Sequence, residues 1–216
     1  MNTKEAIIYC EEHNINGSFV ECGVASGLQE VIICDTIIKS NYKLRHIFMF
    51  DTFSGNTMPG EKDYTIYNNM SNVHYTNTQI IDICTNHRNN HNGKNLCEES
   101  LYTVKNNIKT TNYPEEYLHF IEGDIMETLN NPINIPSEIA ILRLDTDWYD
   151  SSKFELQKLF KNVVDGGVII LDDYYLWNGQ KEATDEFLKE NKLNYNIIQH
   201  KDYPQLGYFI KNNNMS

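Results

Sequence analysis

Basic residues are scarce in this chain, and their scarcity excludes one class of partner. The 216 residues include 18 Lys and Arg against 30 Asp and Glu, which gives a formal net charge of −12. Nonspecific affinity for nucleic acid depends on clustered Lys and Arg side chains. We therefore expect no nucleic-acid partner.

Long apolar runs are missing as well. No apolar segment approaches the roughly 20 residues that a bilayer span requires, and the polar start MNTKEAIIYCEEHN lacks the core of a signal peptide. The sequence thus predicts a cytoplasmic protein with no membrane partner. Its 5 cysteines are odd in number and widely spaced, which favours free thiols in a reducing compartment over a disulfide framework.

Several motifs of common enzyme classes are also absent. The chain has no G-x-S-x-G elbow, no Walker A loop and no H-E-x-x-H, which argues against hydrolases, NTPases and zinc proteases. It has no G-x-G-x-x-G either, which weakens the case for a nicotinamide-dependent dehydrogenase.

Short apolar runs alternate with amphipathic segments, a pattern typical of strands that alternate with helices. The predicted strands are SFVEC, HIFMF, YLHFI, IAILRL and VVDGGVIIL, and the segments NYNIIQH and GYFIKN predict a terminal antiparallel hairpin. This alternation predicts an α/β fold with a doubly wound, mostly parallel sheet in a single domain, residues 1–216.

Residues 54–100 interrupt the alternation and are rich in Asn, Thr, Tyr and His. A connection of this length is usually a functional lid or a disordered segment. Its aromatic residues, Tyr64, Tyr67 and Tyr75, favour an ordered and partly helical lid. Within it, Cys84, His87, His91 and Cys97 have a spacing similar to that of zinc ligands, but the asparagine-rich surroundings favour chance.

Acidic residues follow four of the predicted strands, and two strands deliver pairs. Asp145 and Asp147 come directly after IAILRL, and Asp172 and Asp173 come directly after VVDGGVIIL. The carboxyl ends of parallel strands face the ligand crevice, and crowded carboxylates repel one another unless a cation or protons compensate them. A divalent metal with oxygen ligands is the simplest explanation.

Two further strand ends suggest a bound nucleoside. Asp51 stands where acidic residues commonly accept hydrogen bonds from ribose hydroxyls, and Asp124 is placed to take the exocyclic amine of an adenine. The glycine turn from Glu21 to Gly27 would let backbone amides approach the same ligand.

These segments resemble the macrocin O-methyltransferase family, which methylates deoxysugar hydroxyls on antibiotics. The resemblance rests on FVECGV (19–24), FDTFSG (50–55), GDIMETL (123–129), LRLDTDWYDS (142–151), GGVIILDDY (166–174) and GQKEATDEFL (179–188). It implies a class I methyltransferase fold, Rossmann-like, with seven strands. It further implies S-adenosylmethionine as cofactor, Mg²⁺ and a small sugar-containing acceptor.

The resemblance also implies roles for individual residues. The metal ligands would be Asp145, Asp172 and Asp173, and the general base would be Asp145 or Asp147. The cofactor would contact Glu21, Cys22, Gly23, Ser26, Asp51, Thr52, Gly123, Asp124 and Asp145. Thr146 stands where the family usually has glycine, and the inserted residues 54–100 share little with the antibiotic enzymes, so the acceptor stays open.

Three other functions fit parts of the pattern. A metal-dependent O-methyltransferase of catechols or phenols would use a similar carboxylate arrangement, although the polar 54–100 region suits a sugar better. A dehydrogenase lacks its glycine signature, and a non-enzymatic binding module would have little reason to keep mutually repelling charges. A homodimer is expected from the general frequency of dimers alone.

Overall fold

The computed structural model describes residues 1–66 and 74–212. Over these ranges the strands are Ser18–Cys22 (β1), Ile47–Asp51 (β2), Leu118–Glu122 (β3), Ile139–Leu144 (β4), Val163–Leu171 (β5), Ile198–Gln199 (β6) and Gly207–Ile210 (β7). The helices are Thr3–Glu12 (α1), Leu28–Ser40 (α2), Asn77–Asn90 (α3), Leu101–Lys109 (α4), Ile125–Thr128 (α5), Tyr149–Leu159 (α6) and Asn178–Glu190 (α7).

The strands form one sheet in the order β3-β2-β1-β4-β5-β7-β6. Strands β1 to β5 are parallel, whereas β7 runs antiparallel to both β5 and β6. The doubly wound, mostly parallel seven-stranded sheet and the terminal hairpin are therefore confirmed. The chain leaves β1 in one direction across the sheet and β4 in the other, so a crevice is expected between these two strand ends.

Alternating side chains of the central strands are buried on opposite faces of the sheet. Phe19 and Ile141 join the core under α1, α2 and α4, whereas Val20 and Leu142 join the core under α5, α6 and α7. Every residue of β4 is buried. Burial on both faces explains why these strands are continuously apolar in sequence.

The inserted segment, residues 54–100, contains α3 and contacts the rest of the fold on both sides of its undescribed part. Before the undescribed part, the Asn178 N–H donates to the Tyr64 carbonyl at 2.9 Å, and after it Ile80 and Cys84 pack with Trp148. The predicted helical content is thus present in α3. Tyr67, one of the aromatic residues on which the lid prediction rests, lies outside the described residues.

Candidate active site

The turn after β1 packs directly against the end of β4. Gly23 has a φ of +87°, and a Cβ at this position would lie 2.1 Å from the Asp145 carbonyl oxygen. The Asp145 N–H donates to the Cys22 carbonyl at 2.8 Å, and the Gly23 N–H donates to the Phe50 carbonyl at 2.9 Å. The ends of β1, β2 and β4 therefore meet at the point where the crevice opens, and only glycine fits at the junction.

Three aspartates converge at this edge of the sheet. Asp145 and Asp147 flank Thr146 after β4, and Asp173 follows β5; one carboxylate oxygen from each lies within 4.8 Å of the others. Asp147 has a left-handed φ of +65°, which Asp tolerates better than most residues. Clustered carboxylate oxygens are the donor set that hard divalent cations prefer, so these residues fit such an ion.

The buried side chain of Arg143 partly neutralises the carboxylates at this edge of the sheet. One guanidinium nitrogen of Arg143 donates to Glu21 Oε1 at 2.5 Å and to Asp145 Oδ2 at 2.6 Å, and the other donates to Asp172 Oδ1 at 2.5 Å. The Arg143 side chain is only 4% exposed. Asp172, predicted from the resemblance as a metal ligand, thus faces Arg143, and Asp147 takes its place in the group of converging carboxylates.

The cluster holds its protons more tightly than ordinary carboxyls do. Burial raises the pKa of Asp145 and of Asp173 well above the usual range, and neighbouring carboxylates add to the effect. Burial also raises the pKa of Asp147 to about 7, although a hydrogen bond with Asp173 acts in the opposite direction. Without a cation, protons compensate the repulsion among these groups.

A cavity of about 360 Å³ lies over the cluster. Residues at the sheet edge and at the start of α5 contribute one part of its lining, including Gly23, Ala25, Asp51, Gly123, Asp124 and Met126. The inserted segment and the start of α6 contribute another, including Asn56, Thr57, Met58, Asp63, Trp148 and Asp150. Asp145 and Asp147 line the cavity as well, whereas the buried Asp173 is not among its lining residues. Two of the three aspartates therefore face a space bounded both by the sheet edge and by the inserted segment.

Most of the predicted cofactor residues border this cavity, namely Gly23, Asp51, Thr52, Gly123, Asp124 and Asp145. The Asp51 carboxylate already accepts hydrogen bonds from the N–H groups of Val24 at 2.6 Å, Ala25 at 3.0 Å and Phe53 at 2.7 Å. Asp124 caps α5 by accepting from the Met126 N–H at 2.8 Å. Both carboxylates thus shape the backbone around the cavity.

Three other predicted cofactor residues are not among those that line the cavity, and the reason is local. Glu21 is 1% exposed and its carboxylate bonds to Arg143, while Cys22 is completely buried in β1. The Ser26 carbonyl accepts from the Asn107 side chain at 2.9 Å. Glu21 and Cys22 thus end β1 with side chains in the interior, and Ser26 lies in the glycine turn, where its backbone is bonded to α4.

The inserted segment is bonded to the aspartate turn. The Asn56 side-chain amide donates to Asp147 Oδ2 at 2.7 Å, and the Trp148 indole N–H donates to the Thr57 carbonyl at 3.0 Å. Asp63, only 1% exposed, accepts from the Tyr149 N–H at 2.8 Å and so caps the start of α6. Movement of this segment would therefore displace or release the Asp147 carboxylate, to which Asn56 is bonded.

Sequence reasoning assigned no role to Arg143, Asn56 or Asp63. Arg143 does carry a signal, because it is the single charge within the apolar strand IAILRL. Asn56 and Asp63 carry none, since their partners lie 91 and 86 residues away in the chain. A Cβ on Gly179 would lie 1.9 Å from Asp63 Oδ1, so this glycine at the start of α7 leaves room for the Asp63 cap.

In the described residues, Cys84, His87, His91 and Cys97 are not brought together as a group of metal ligands. Within the described parts of the chain, the three aspartates are the group of His, Cys, Asp and Glu side chains that is close enough to share an ion. Cys84 is instead buried against Ile80 and Trp148. His87 and His91 stack on each other with ring centroids 4.1 Å apart.

The described residues include no helix that is long and apolar enough to cross a membrane. The strand order with its antiparallel β7, together with an acidic cavity at the switch point, defines a class I methyltransferase fold of the Rossmann-like type. The chain belongs to the macrocin O-methyltransferase family, whose model matches residues 1–204. The resemblance read from the sequence is therefore confirmed at the level of the family.

Curated relatives with similar sequences are O-methyltransferases by name. The chain is 27% identical over 175 residues to demethyldecarbamoylnovobiocin O-methyltransferase of Streptomyces niveus, covering 81% of this chain and 59% of the relative. It is 24% identical over 186 residues to mycinamicin III 3''-O-methyltransferase of Micromonospora griseorubida, covering 86% and 65%. The chain thus spans roughly three fifths of the length of the curated relatives it matches.

Solved structures share the fold. The O-methyltransferase NovP superposes with a TM-score of 0.77 at 23% identity, over 98% of this chain and 78% of that one. An O-methyltransferase from Bacillus cereus, solved in complex with SAH, superposes with a TM-score of 0.54 at 10% identity, over 97% and 80%. At these identities the likeness concerns the fold alone.

Proposed function

We propose that the chain is an S-adenosylmethionine-dependent O-methyltransferase that methylates a hydroxyl of a sugar-containing acceptor and uses Mg²⁺. The observation that carries the proposal is the cluster of Asp145, Asp147 and Asp173, of which Asp145 and Asp147 line a cavity that also borders the glycine turn. The names of the relatives, which describe O-methylation of glycosylated compounds, support it.

The cofactor would occupy the part of the cavity bordered by the sheet edge. Gly23 and Ala25 of the glycine turn line this part, and Asp51 and Asp124 stand at the ends of β2 and β3. When bound, S-adenosylmethionine supplies a methyl group that is transferred by in-line displacement. The protein must therefore align the acceptor hydroxyl with the sulfonium and exclude water, which the inserted segment is placed to do.

The acceptor hydroxyl must lose its proton as the bond to the methyl carbon forms. Asp147 is better placed than Asp145 to accept it, because Asp145 Oδ2 is bonded to the cationic Arg143, which disfavours protonation, whereas Asp147 Oδ2 accepts from the neutral Asn56 amide. Asn56 orients Asp147, and without a bound cation burial raises the Asp147 pKa to about 7. A divalent ion on the same carboxylates would supply polarisation of the hydroxyl when bound.

The acceptor is a sugar in this proposal because the inserted segment offers hydrogen-bonding groups to the cavity. Asn56 and Thr57 line it beside Met58 and Trp148. Polar groups of this kind suit a ring that carries several hydroxyls. A flat phenol would call for a more continuous apolar wall.

The direct test is methyl transfer from isotopically labelled S-adenosylmethionine to a panel of hexose and deoxyhexose glycosides, detected by mass spectrometry. We expect transfer with Mg²⁺ and loss of transfer in EDTA, restored by adding Mg²⁺ back. Full activity in the chelator would remove the metal from the proposal. Binding of SAH without transfer to any sugar, but with transfer to catechol, would replace the sugar by a phenol.

Calorimetric titration of Mg²⁺ distinguishes the two possible ligand sets. The geometry favours Asp145, Asp147 and Asp173, so Asp147→Asn and Asp173→Asn should each weaken Mg²⁺ binding by more than about tenfold, the least that loss of a residue supporting a ligand typically costs. Asp172→Asn should weaken it less, because Asp172 faces Arg143. The reverse order would restore the set that the resemblance implied, Asp145, Asp172 and Asp173.

We also propose a reducing, cytoplasmic setting and a role in building a glycosylated product. All 5 cysteines are free, and Cys10, Cys22, Cys34 and Cys84 are buried, so an oxidising compartment would give them no partner. Nucleic-acid binding and membrane binding are not part of the proposal. Size-exclusion chromatography with light scattering would test the expected homodimer.

A further inference from the structure

The turn between β4 and α6 carries Asp145 and Asp147, the two aspartates of the cluster that line the cavity. The Trp148 N–H donates to the Thr146 carbonyl at 2.7 Å, which closes a three-residue turn around Asp147. Asp147 has a φ of +65° there, the sign found in the rare and strained form of this turn. A strained conformation persists only where surrounding contacts hold it. The side-chain contacts of the turn, of which the Asn56 bond to Asp147 is one, therefore fix where the Asp147 carboxylate points.

Helix α6 holds the Thr146 side chain. Thr146 Oγ1 donates to Glu155 Oε1 at 2.8 Å and lies 2.9 Å from Ser151 Oγ. The Ser151 hydroxyl has its own acceptor in the Trp148 carbonyl at 3.1 Å, which leaves the Thr146 proton for Glu155. Ser151 and Glu155 are four residues apart on α6, so one face of the helix presents both to the turn. The turn is therefore tied through the Thr146 side chain to the first two turns of α6.

The Glu155 carboxyl lowers stability where it stands. Glu155 is completely buried, and its neighbours Leu156 and Leu159 on α6 belong to the core. Burial raises the pKa of Glu155 to about 8, so the group is neutral at pH 7. Its Oε1 accepts from Thr146, and its Oε2 is buried without a hydrogen-bond partner among the residues that the structure describes. An apolar side chain would avoid the desolvation of this carboxyl. The bond to Thr146 is thus the interaction that distinguishes the glutamate from an apolar residue at this position.

We propose that Thr146 and Glu155 are positioning residues, which fix the turn after β4 and keep the Asp145 and Asp147 carboxylates directed at the cavity. The proposal rests on the O-methyltransferase function proposed above. Thr146 borders the cavity, whereas Glu155 is not among its lining residues and acts through the Thr146 hydroxyl. Thr146 stands where the family usually has glycine, which has no hydroxyl to donate, so this contact is a feature of this chain rather than of the family in general.

Thr146→Val keeps the branched shape of the side chain and removes its hydroxyl. We expect the affinity for Mg²⁺ in calorimetry and kcat with the best acceptor of the glycoside panel each to fall about tenfold or more, the usual effect of losing a residue that orients a metal ligand. KM for S-adenosylmethionine and the affinity for SAH should stay unchanged, because Asp51 and Asp124 are not touched. Thr146→Ser keeps the hydroxyl and should recover most of the Mg²⁺ affinity and of kcat.

Glu155→Met separates positioning from stability. The variant loses the acceptor of the Thr146 hydroxyl, which retains Ser151 Oγ as a neighbour at 2.9 Å. Mg²⁺ affinity and kcat should fall as in Thr146→Val, while Tm should equal or exceed that of wild type because a buried carboxyl has been removed. Glu155→Gln keeps an acceptor oxygen and should retain both Mg²⁺ affinity and kcat. Replacement of a residue with a merely structural role would lower Tm together with activity.

The double variant that combines Thr146→Val with Glu155→Met shows whether the two residues act through one contact. Its loss of Mg²⁺ affinity should be about that of either single variant, roughly tenfold, and not the product of the two, roughly a hundredfold. The matched control is Thr36→Val, which removes another buried threonine hydroxyl, one that donates to the Ile32 carbonyl within α2 at 2.6 Å. It should leave Mg²⁺ affinity and kcat unchanged.

The outcomes separate this inference from the function beneath it. Mg²⁺ affinity and kcat at wild-type values in Thr146→Val or in Glu155→Met would overturn the inference and leave the sugar O-methyltransferase in place. Losses that multiply in the double variant would overturn it as well, since the two residues would then act separately. Absence of methyl transfer to any acceptor by wild type would remove the proposed function, whereas the Mg²⁺ titrations of the variants would still decide the role of Thr146 and Glu155.

Discussion

Replacement of Arg143 by methionine is the perturbation for which the structure makes the firmest stability prediction. Arg143 is buried and neutralises Glu21, Asp145 and Asp172 through bonds of 2.5 to 2.6 Å. Methionine fills much of the same space but leaves these carboxylates without their cation. Removal of one partner from a buried ion pair typically costs about 3–5 kcal/mol of unfolding free energy. For a chain of this size that loss corresponds to a fall of about 6–20 °C in Tm.

The pH dependence of the loss is the diagnostic part of the prediction. Burial already raises the pKa of Glu21 and of Asp145, and loss of the guanidinium raises both further. The native variant then binds protons that the unfolded chain does not, so its stability falls as pH rises above the unfolded pKa of about 4. The deficit relative to wild type should therefore be largest near pH 8 and shrink toward pH 5.

Urea denaturation followed by tryptophan fluorescence at several pH values measures the deficit. The control is Arg45→Met, since the Arg45 side chain is similarly buried but pairs with the single carboxylate of Glu11 at 2.6 Å and with backbone carbonyls. Its deficit should vary less with pH. A deficit in Arg143→Met that is below about 1 kcal/mol, the worth of an exposed ion pair, or constant from pH 5 to 8, would refute the reasoning.

Two further predictions concern packing and a buried acid. Gly23→Ala should lower the free energy of unfolding by about 2–5 kcal/mol, because Gly23 has a positive φ and an added Cβ would lie 2.1 Å from the Asp145 carbonyl oxygen. The control Gly93→Ala has a similar φ of +86° but nothing within 4 Å of the added Cβ, so it should lose only about 1–2 kcal/mol. Equal losses for the two variants in chemical denaturation would contradict the clash at Gly23. Burial raises the pKa of Glu155 to about 8, so its contribution to stability declines as pH rises from its unfolded value to 8. Glu155→Gln keeps the acceptor for the Thr146 hydroxyl and should be more stable than wild type at pH 8.5, and a Tm below that of wild type there would contradict this.

The strands and their acidic ends were predictable because the signals are local. IAILRL and VVDGGVIIL are apolar on both faces, which is what a central parallel strand requires, and the structure places β4 and β5 at these residues. The terminal hairpin and the order of elements followed from the same alternation. The convergence of acidic residues at one edge then follows from the geometry of a parallel sheet.

Only the tertiary structure decided which carboxylates meet. Asp172 and Asp173 are adjacent in sequence, so nothing local shows that Asp172 faces Arg143 while Asp173 joins Asp145 and Asp147. The side chains of Asp172 and Asp173 point in different directions, and Arg143 on β4, 29 residues away in the chain, bonds to Asp172. The sequence thus determined the sheet and the acidic character of its edge, whereas long-range pairing decided the composition of the cluster and its contacts with the inserted segment.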